Sequence, residues 1–140
     1  MIFKLDMIPP SATGQMHKVG VKNNKPFFYD PPAVKDAKQK LNAYLYHHRP
    51  SEPLEGALAL IVIWLYPIKG KHADMEYKTS KPDTDNLQKI LKDCMTFCGF
   101  WEDDSQVVRE IIEKRWAKEP GIVIGVFDAN SNEEKELLNG

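Results

Sequence analysis

Two acidic clusters separated by about one helix's length are the residues of this chain best suited to chemistry. The first is Asp83-Thr-Asp85, within the run Lys81-Pro-Asp-Thr-Asp-Asn-Leu-Gln-Lys89; the second is Asp103-Asp104, after Gly99-Phe-Trp-Glu. Residues two apart in an extended or capping segment point the same way, so Asp83 and Asp85 can reach one ion. Pro82 keeps Lys81 extended, so the chain enters straight and turns at the aspartates. Carboxylates held together repel one another and call for a compensating cation. All-oxygen donors with no histidine or thiolate suit a hard ion, Mg²⁺ or Mn²⁺ in its place, that keeps several waters. Such an ion polarises a phosphoryl oxygen and lowers the pKa of a bound water. Lys89, one turn beyond Asp85 on the same polar stripe, is placed to neutralise charge developing on a phosphate or to help orient a nucleophile. The same aspartates also suit structural jobs. Asp before a helix is a common cap worth about 1 kcal/mol, Asp-Asp is routine in a turn, and a lone D-x-D also occurs in metal-binding glycosyltransferases.

The element that must position both clusters is a helix over 84–98. Leu87, Ile90, Leu91, Cys94, Met95 and Cys98 form its apolar stripe, Asp85, Lys89, Lys92, Asp93 and Thr96 its polar one, and Gly99 follows its end. The turn after Cys98 can return Asp103-Asp104 to this helix if the next segment packs beside it. That segment, 106–117, fits helix and strand spacing about equally, and its β-branched content favours a strand. Upstream, residues 1–7 alternate as a half-buried strand, and 11–29 read as a polar loop with a short hairpin across Asn23-Asn24. Asp30 is the expected cap of a helix opened by Pro31-Pro32, carrying Val34, Ala37, Leu41, Tyr44, Leu45 and His48, and ended by Arg49-Pro50. The apolar run Ala57–Tyr66 suits a central strand covered on both faces, and 121–127 a final strand. His47 and His48 read as a helix terminus rather than metal ligands, and Cys94 and Cys98 as buried core. Phe100-Trp101 reads as an apolar closure of the helix end, with stacking on bases as the other option. The expected fold is one α/β (α+β) domain over 1–127, a mixed sheet of about four to five strands with two helices packed on it, followed by an acidic tail over 128–140.

Composition bounds the rest. One hundred and forty residues, 42% hydrophobic and 28% charged, are ordinary material for one domain. The apolar run at 57–66 is far short of the roughly 20 residues of a membrane helix. No secretory pattern follows Met1, and two cysteines cannot build a disulfide framework, so the expectation is a cytoplasmic protein. The formal charge of −1 hides an asymmetry: 1–82 carry +5 and 83–140 carry −6. A basic body around a concentrated acidic spot is what a metal-dependent enzyme acting on a polyanion needs, although a solvated charged surface produces the same count.

The runs K-P-D-T-D-N-L-Q-K and G-F-W-E-D-D-S-Q-V closely resemble the RusA family of phage and prophage Holliday-junction resolvases, whose pattern is D-x-D-N-L-x-K on a helix start, then D-D-x-Q-[VI] after a small turn. By that resemblance Asp83, Asp85 and Asp104 match the family's metal-binding aspartates, Lys89 its catalytic lysine, and Asp103 a usually acidic position beside them. The resemblance implies a Mg²⁺-dependent endonuclease without an organic cofactor. Such an enzyme resolves four-way DNA junctions by paired symmetric nicks, in recombination and repair, as a homodimer away from any membrane. The loop at 68–82 departs from the pattern, being longer and carrying scattered lysines in place of an arginine run. Lys18, Lys22, Lys25, Lys69, Lys71, Lys78 and Lys81 are candidate phosphate contacts, each of them equally an ordinary surface lysine. Two other functions remain open: a nuclease for other branched or flap DNA, and a non-catalytic DNA-binding homologue.

Overall fold

In the computed structural model, residues 1–11 and 18–133 are described, apart from the side chains at 18–19 and 27–29. The chain runs β1 (Ile2–Leu5), β2 (Lys18–Lys22), β3 (Lys25–Tyr29), α1 (Pro32–Tyr46), β4 (Leu58–Pro67), α2 (Thr84–Phe97), a 3₁₀ turn (Asp104–Gln106), β5 (Val107–Ala117) and β6 (Gly121–Asp128). Four strands make one mixed sheet in the order β1-β6-β4-β5, and β2 and β3 pair as a separate hairpin. This is a single α+β domain, as the pattern of elements predicts. The acidic tail from 134 onward lies outside the described residues.

β4 sits inside the sheet because its residues are apolar on both faces. Leu58, Leu60, Val62, Trp64 and Tyr66 pack toward the helices, with Leu5, Ile122, Ile124 and Val126 beside them. Ala59 and Ile61 face the other way, against Phe127, Ile111 and Ala129. β4 pairs antiparallel with β6 and parallel with β5. A parallel pair cannot be joined by a tight turn, so the chain between β4 and β5 makes a crossover, and α2 is its helix. β6 in turn lies close against β1. A Cβ on Gly121 would fall 2.5 Å from Lys4 Cε and 2.9 Å from the Leu5 carbonyl oxygen.

The two helices pack on one another along their apolar stripes. Val34, Leu41 and Leu45 of α1 meet Leu87, Ile90, Leu91, Cys94 and Met95 of α2 in one core. Both thiols sit there, against the carbonyls of Lys38 and Asn42. Burial pushes the Cys94 thiol up to about 12, which keeps it protonated and inert. Gly99 has φ +85°, the left-handed residue that ends α2. Phe100 and Trp101 then turn inward and are buried. Phe100 stacks on Phe3 and the Trp101 indole N–H donates to Thr96 Oγ1 at 2.7 Å, so this pair closes the helix end.

Two local expectations need correcting. Asp30 does not cap α1: Pro31 holds the N-cap position, and the Asp30 carboxylate pairs with Lys38 Nζ at 3.0 Å instead. Tyr44, placed by spacing on the apolar face, is exposed, because the face that meets α2 is narrower than the periodic stripe.

Candidate active site

The segment leading into α2 is stitched along the outer edge of β5. The Met75 N–H donates to the Trp116 carbonyl, the Trp116 N–H to Glu76, and the Lys78 N–H to Lys114 at 2.9 Å. This strap covers an edge that would otherwise expose unpaired backbone groups. At its end two ammonium groups gather the last carbonyls before Asp83. Lys114 Nζ donates to the carbonyls of Ser80 (2.6 Å) and Pro82 (2.7 Å). Lys78 Nζ donates to Ser80 Oγ (2.7 Å), to the Ser80 carbonyl (3.3 Å) and to the Lys81 carbonyl. It also lies over the rings of Tyr66 and Trp116. Lys78 is only 8% exposed. Burial, with the charges of Lys114 and Lys69, moves its ammonium below the usual lysine range.

Asp83 takes the N-cap position of α2 in extended backbone (φ −75°, ψ 146°), yet its side chain makes no capping hydrogen bond. Its carbonyl accepts the first intrahelical hydrogen bond, from the Leu87 N–H at 3.1 Å, and the carboxylate is left out of the helix. Asp85 lies in the first turn, and both aspartates are exposed at the helix end that favours negative charge. Lys89 follows one turn later. Its ammonium sits 3.5 Å from Asp93, which also faces Lys38 at 3.4 Å.

Deeper along α2, the helix is locked to the sheet by a polar chain that runs from buried Trp64 and Gln88 to half-buried Glu110 and Lys92. The Trp64 indole N–H donates to Gln88 Oε1 (2.9 Å), Gln88 Nε2 donates to Glu110 (3.1 Å), and Lys92 pairs with the other Glu110 oxygen at 2.5 Å. These bonds show how α2 and β5 run relative to one another. Pro82, before the helix, lies by Lys114 late in β5, whereas Gln88 and Lys92 lie by Glu110 near its start. The two elements are antiparallel.

Asp103 and Asp104 therefore return to α2 at its far end. Fourteen residues at about 1.5 Å each put roughly 20 Å between them and the Asp83-x-Asp85 pair. Among the described residues, no group of three or more His, Cys, Asp or Glu side chains could hold a metal ion. The turn after Cys98 does bring Asp103-Asp104 back to the helix, but to its C-terminal end and not to the Asp83-x-Asp85 pair, because the following strand packs beside the helix in the opposite direction. Asp103 is moreover engaged. Its carboxylate accepts the Ser105 N–H at 2.9 Å, which holds its carboxyl below the usual range although it is exposed. Gln106 Oε1 accepts the N–H groups of Glu102 and Asp103, and Gln106 Nε2 donates to Leu54 and Gly56. Asp104, on the first residue of the 3₁₀ turn, is half-buried.

The candidate phosphate-contacting lysines separate by position. Lys22 and Lys25 flank the hairpin turn and are exposed, as are Lys69, Lys71 and Lys81; the Lys18 side chain is outside the described residues. Lys69 and Lys81 line a hollow of about 220 Å³ with Tyr66, Trp116, Ile8 and Pro9, next to Pro82. Lys78, buried with its ammonium given to the strap, is better placed to hold protein than phosphate. Lys114 escaped sequence reasoning. The available signal was its phase in β5, where Glu110, Ile112, Lys114 and Trp116 alternate toward the helix side: two charged residues on an inward-facing row need partners.

An α+β domain that sets two hard-oxygen donors on a helix start, beside several ammonium groups, has the makings of a phosphodiester-cleaving nuclease. The family described as Endodeoxyribonuclease RusA matches residues 8–127. "Crossover junction endodeoxyribonuclease rusA" of Lactococcus phage r1t is 38% identical over 108 residues, 76% of this chain and 79% of the phage protein. "Uncharacterized protein YqaN" of Bacillus subtilis (strain 168) is 26% identical over 133 residues, 87% of this chain and 92% of that protein. The chain belongs to the RusA family of endodeoxyribonucleases.

Proposed function

We propose that this protein is a Holliday-junction resolvase, a Mg²⁺-dependent homodimer that acts in the cytoplasm and cuts four-way DNA by paired symmetric nicks during recombination and repair. The observation that carries this reading is Asp83, a helix N-cap residue whose carboxylate takes no part in capping, two residues from Asp85 on the helix that bears Lys89. The phage relative's name supplies the crossover junction as substrate.

Asp83 and Asp85 fit Mg²⁺ by donor chemistry: two carboxylates suffice for an ion that otherwise keeps waters and takes substrate phosphate oxygens. Bound there, Mg²⁺ would polarise the scissile phosphate and make a bound water more acidic. Lys89 stabilises charge growing on the phosphate. Exposed Lys22, Lys25, Lys69, Lys71 and Lys81, with Lys18, draw the DNA backbone onto the protein.

Asp104, roughly 20 Å away in the same chain, cannot ligate the same ion, whose ligands lie at about 2 Å. The reading therefore takes Asp104 of one protomer of a C2 dimer to complete the Asp83-x-Asp85 pair of its partner. Two such sites would act on symmetry-related strands of a four-way junction. The test is cleavage of a synthetic four-way junction and a matched flap substrate, with and without Mg²⁺. Paired nicks in opposed junction strands that need Mg²⁺ are the expected result. Faster cutting of the flap would assign the enzyme to other branched DNA, and junction binding with no cutting under any divalent ion would make it a non-catalytic binder.

A further inference from the structure

Two buried or half-buried ammonium groups converging on three consecutive carbonyls is a costly arrangement for an edge loop, since each charge loses water and both repel. The contacts explain what it secures. Ser80, Lys81 and Pro82 are the last three residues before Asp83, and Lys78 and Lys114 bond all three carbonyls. Lys114 belongs to β5, and Lys78 is tied to it through the backbone. The direction in which the chain delivers Asp83 is thus set by the sheet edge as well as by the helix that follows. Neither ammonium is arranged for DNA: the three N–H groups of Lys78 match three protein acceptors, and Lys114 points at two.

We propose that Lys114 and Lys78 are positioning residues for the metal site, clamping the 80–82 strap so that the carboxylate of Asp83 is held beside that of Asp85. The proposal rests on the reading of Asp83 and Asp85 as metal ligands. It makes a prediction opposite to simple electrostatics. Removing a positive charge near two carboxylates should by itself tighten cation binding. Releasing the clamp should weaken it, because the donors are no longer held in place.

The test uses the full chain and Mn²⁺ alone, titrated by electron paramagnetic resonance, for wild type, Lys114→Met, Lys114→Arg, Lys78→Met and Asp83→Asn. Junction affinity is measured without divalent ions, and single-turnover cleavage is measured across a Mg²⁺ series. Lys114→Met and Lys78→Met should each bind Mn²⁺ about tenfold more weakly, a loss of about 1.4 kcal/mol. The Mg²⁺ concentration for half-maximal cleavage should rise in step. The rate at saturating Mg²⁺ should return to within about threefold, and junction affinity should change by no more than about twofold. Lys114→Arg, which keeps charge and donors, should restore most of the Mn²⁺ affinity.

Unchanged or tighter Mn²⁺ binding in both methionine variants would overturn the clamp. So would a loss confined to junction affinity, which would make these lysines phosphate contacts. Should Lys114→Met fail to fold, Lys114→Gln is scored by the same criteria. Asp83→Asn separates the two levels. If it binds Mn²⁺ as well as wild type, the metal reading itself falls; if it loses Mn²⁺ while the lysine variants keep it, only the clamp falls.

Discussion

At the N-terminal end of α2, Asp83 holds the capping position and withholds its carboxylate, and Asp85 is exposed in the first turn. At the other end, Asp103 gives its carboxylate to Ser105 while Gln106 ties the corner to Leu54 and Gly56. Both are paired acidic residues bordering one helix, and in sequence they look equivalent. Their hydrogen bonds show otherwise. The carboxylates of one pair take no part in the hydrogen bonds that build its helix, whereas half of the other pair is committed to building a turn. A cluster of carboxylates becomes a candidate for chemistry when it is spared the structural work that those carboxylates could do.

The contrast is broken most directly at its available end. Asp83→Asn or Asp85→Asn should remove junction cleavage by more than the roughly 100-fold that losing an outer-shell partner costs, with junction binding retained or tightened. A variant of Asp85 that cuts at the wild-type rate in Mg²⁺ would dissolve the contrast. Next in size is a mixing experiment. Asp83→Asn and Asp104→Asn are each expected to be inactive alone. If the two ends meet across a dimer, mixed dimers contain one intact site, and an equal mixture should regain up to about a quarter of wild-type sites. No recovery after verified subunit exchange would rule out a shared site.

Lys89→Ala should slow single-turnover cleavage by about 100-fold at saturating Mg²⁺ while leaving the fold and metal binding in place. A rate within about threefold of wild type, some 0.65 kcal/mol of barrier, would reduce Lys89 to its pairing with Asp93. The smallest effect belongs to the committed end. Asp103→Ala should lower the thermal midpoint by no more than about 4 °C near neutral pH. The Asp103 carboxyl is held below its usual range in the folded chain, so its stabilising contribution is complete above the ordinary aspartate pKa and fades as pH falls through the folded value. The midpoint difference between wild type and Asp103→Ala should therefore close in acid. A difference that stays constant with pH would mean that the Ser105 contact is not the source.

Local patterns carried much of this structure into the sequence. The stripe from Leu87 to Met95 announced α2, and Asn23-Asn24, at φ 53° and 61°, announced the hairpin turn that links β2 and β3. β-branched residues settled 107–117 as a strand. What stayed hidden depended on directions and partners set far away in the chain. Asp30 looks like a cap until Lys38, two turns on, takes its carboxylate. Lys78 reads as one more loop lysine until Tyr66, Trp116 and the strap enclose it. The end of α2 to which Asp103-Asp104 returns follows from the way β5 lies against the helix, and no spacing rule reports that. The aspartates and Lys89 could be picked out as candidates from residue type and spacing, but their separation within one chain could not.

The parallel pairing of β4 with β5 has a consequence for how the protein comes into being. Everything from the strap through the 3₁₀ turn is the loop that this pairing closes, some forty residues between Pro67 and Val107. β6 comes after β5, so its antiparallel pairing with β4 spans a still longer stretch, from Pro67 to Gly121, and β1 joins β6 from the other end of the chain. The crossover must fold its helix and cover β4 before the β4–β5 ladder is worth its loop-closure entropy. A chain arrested before that step would hold little of its sheet and none of its chemistry. Hydrogen exchange should accordingly find α2 and β5 opening as one unit, and a newly made molecule should acquire its acidic site in the same event that completes its sheet.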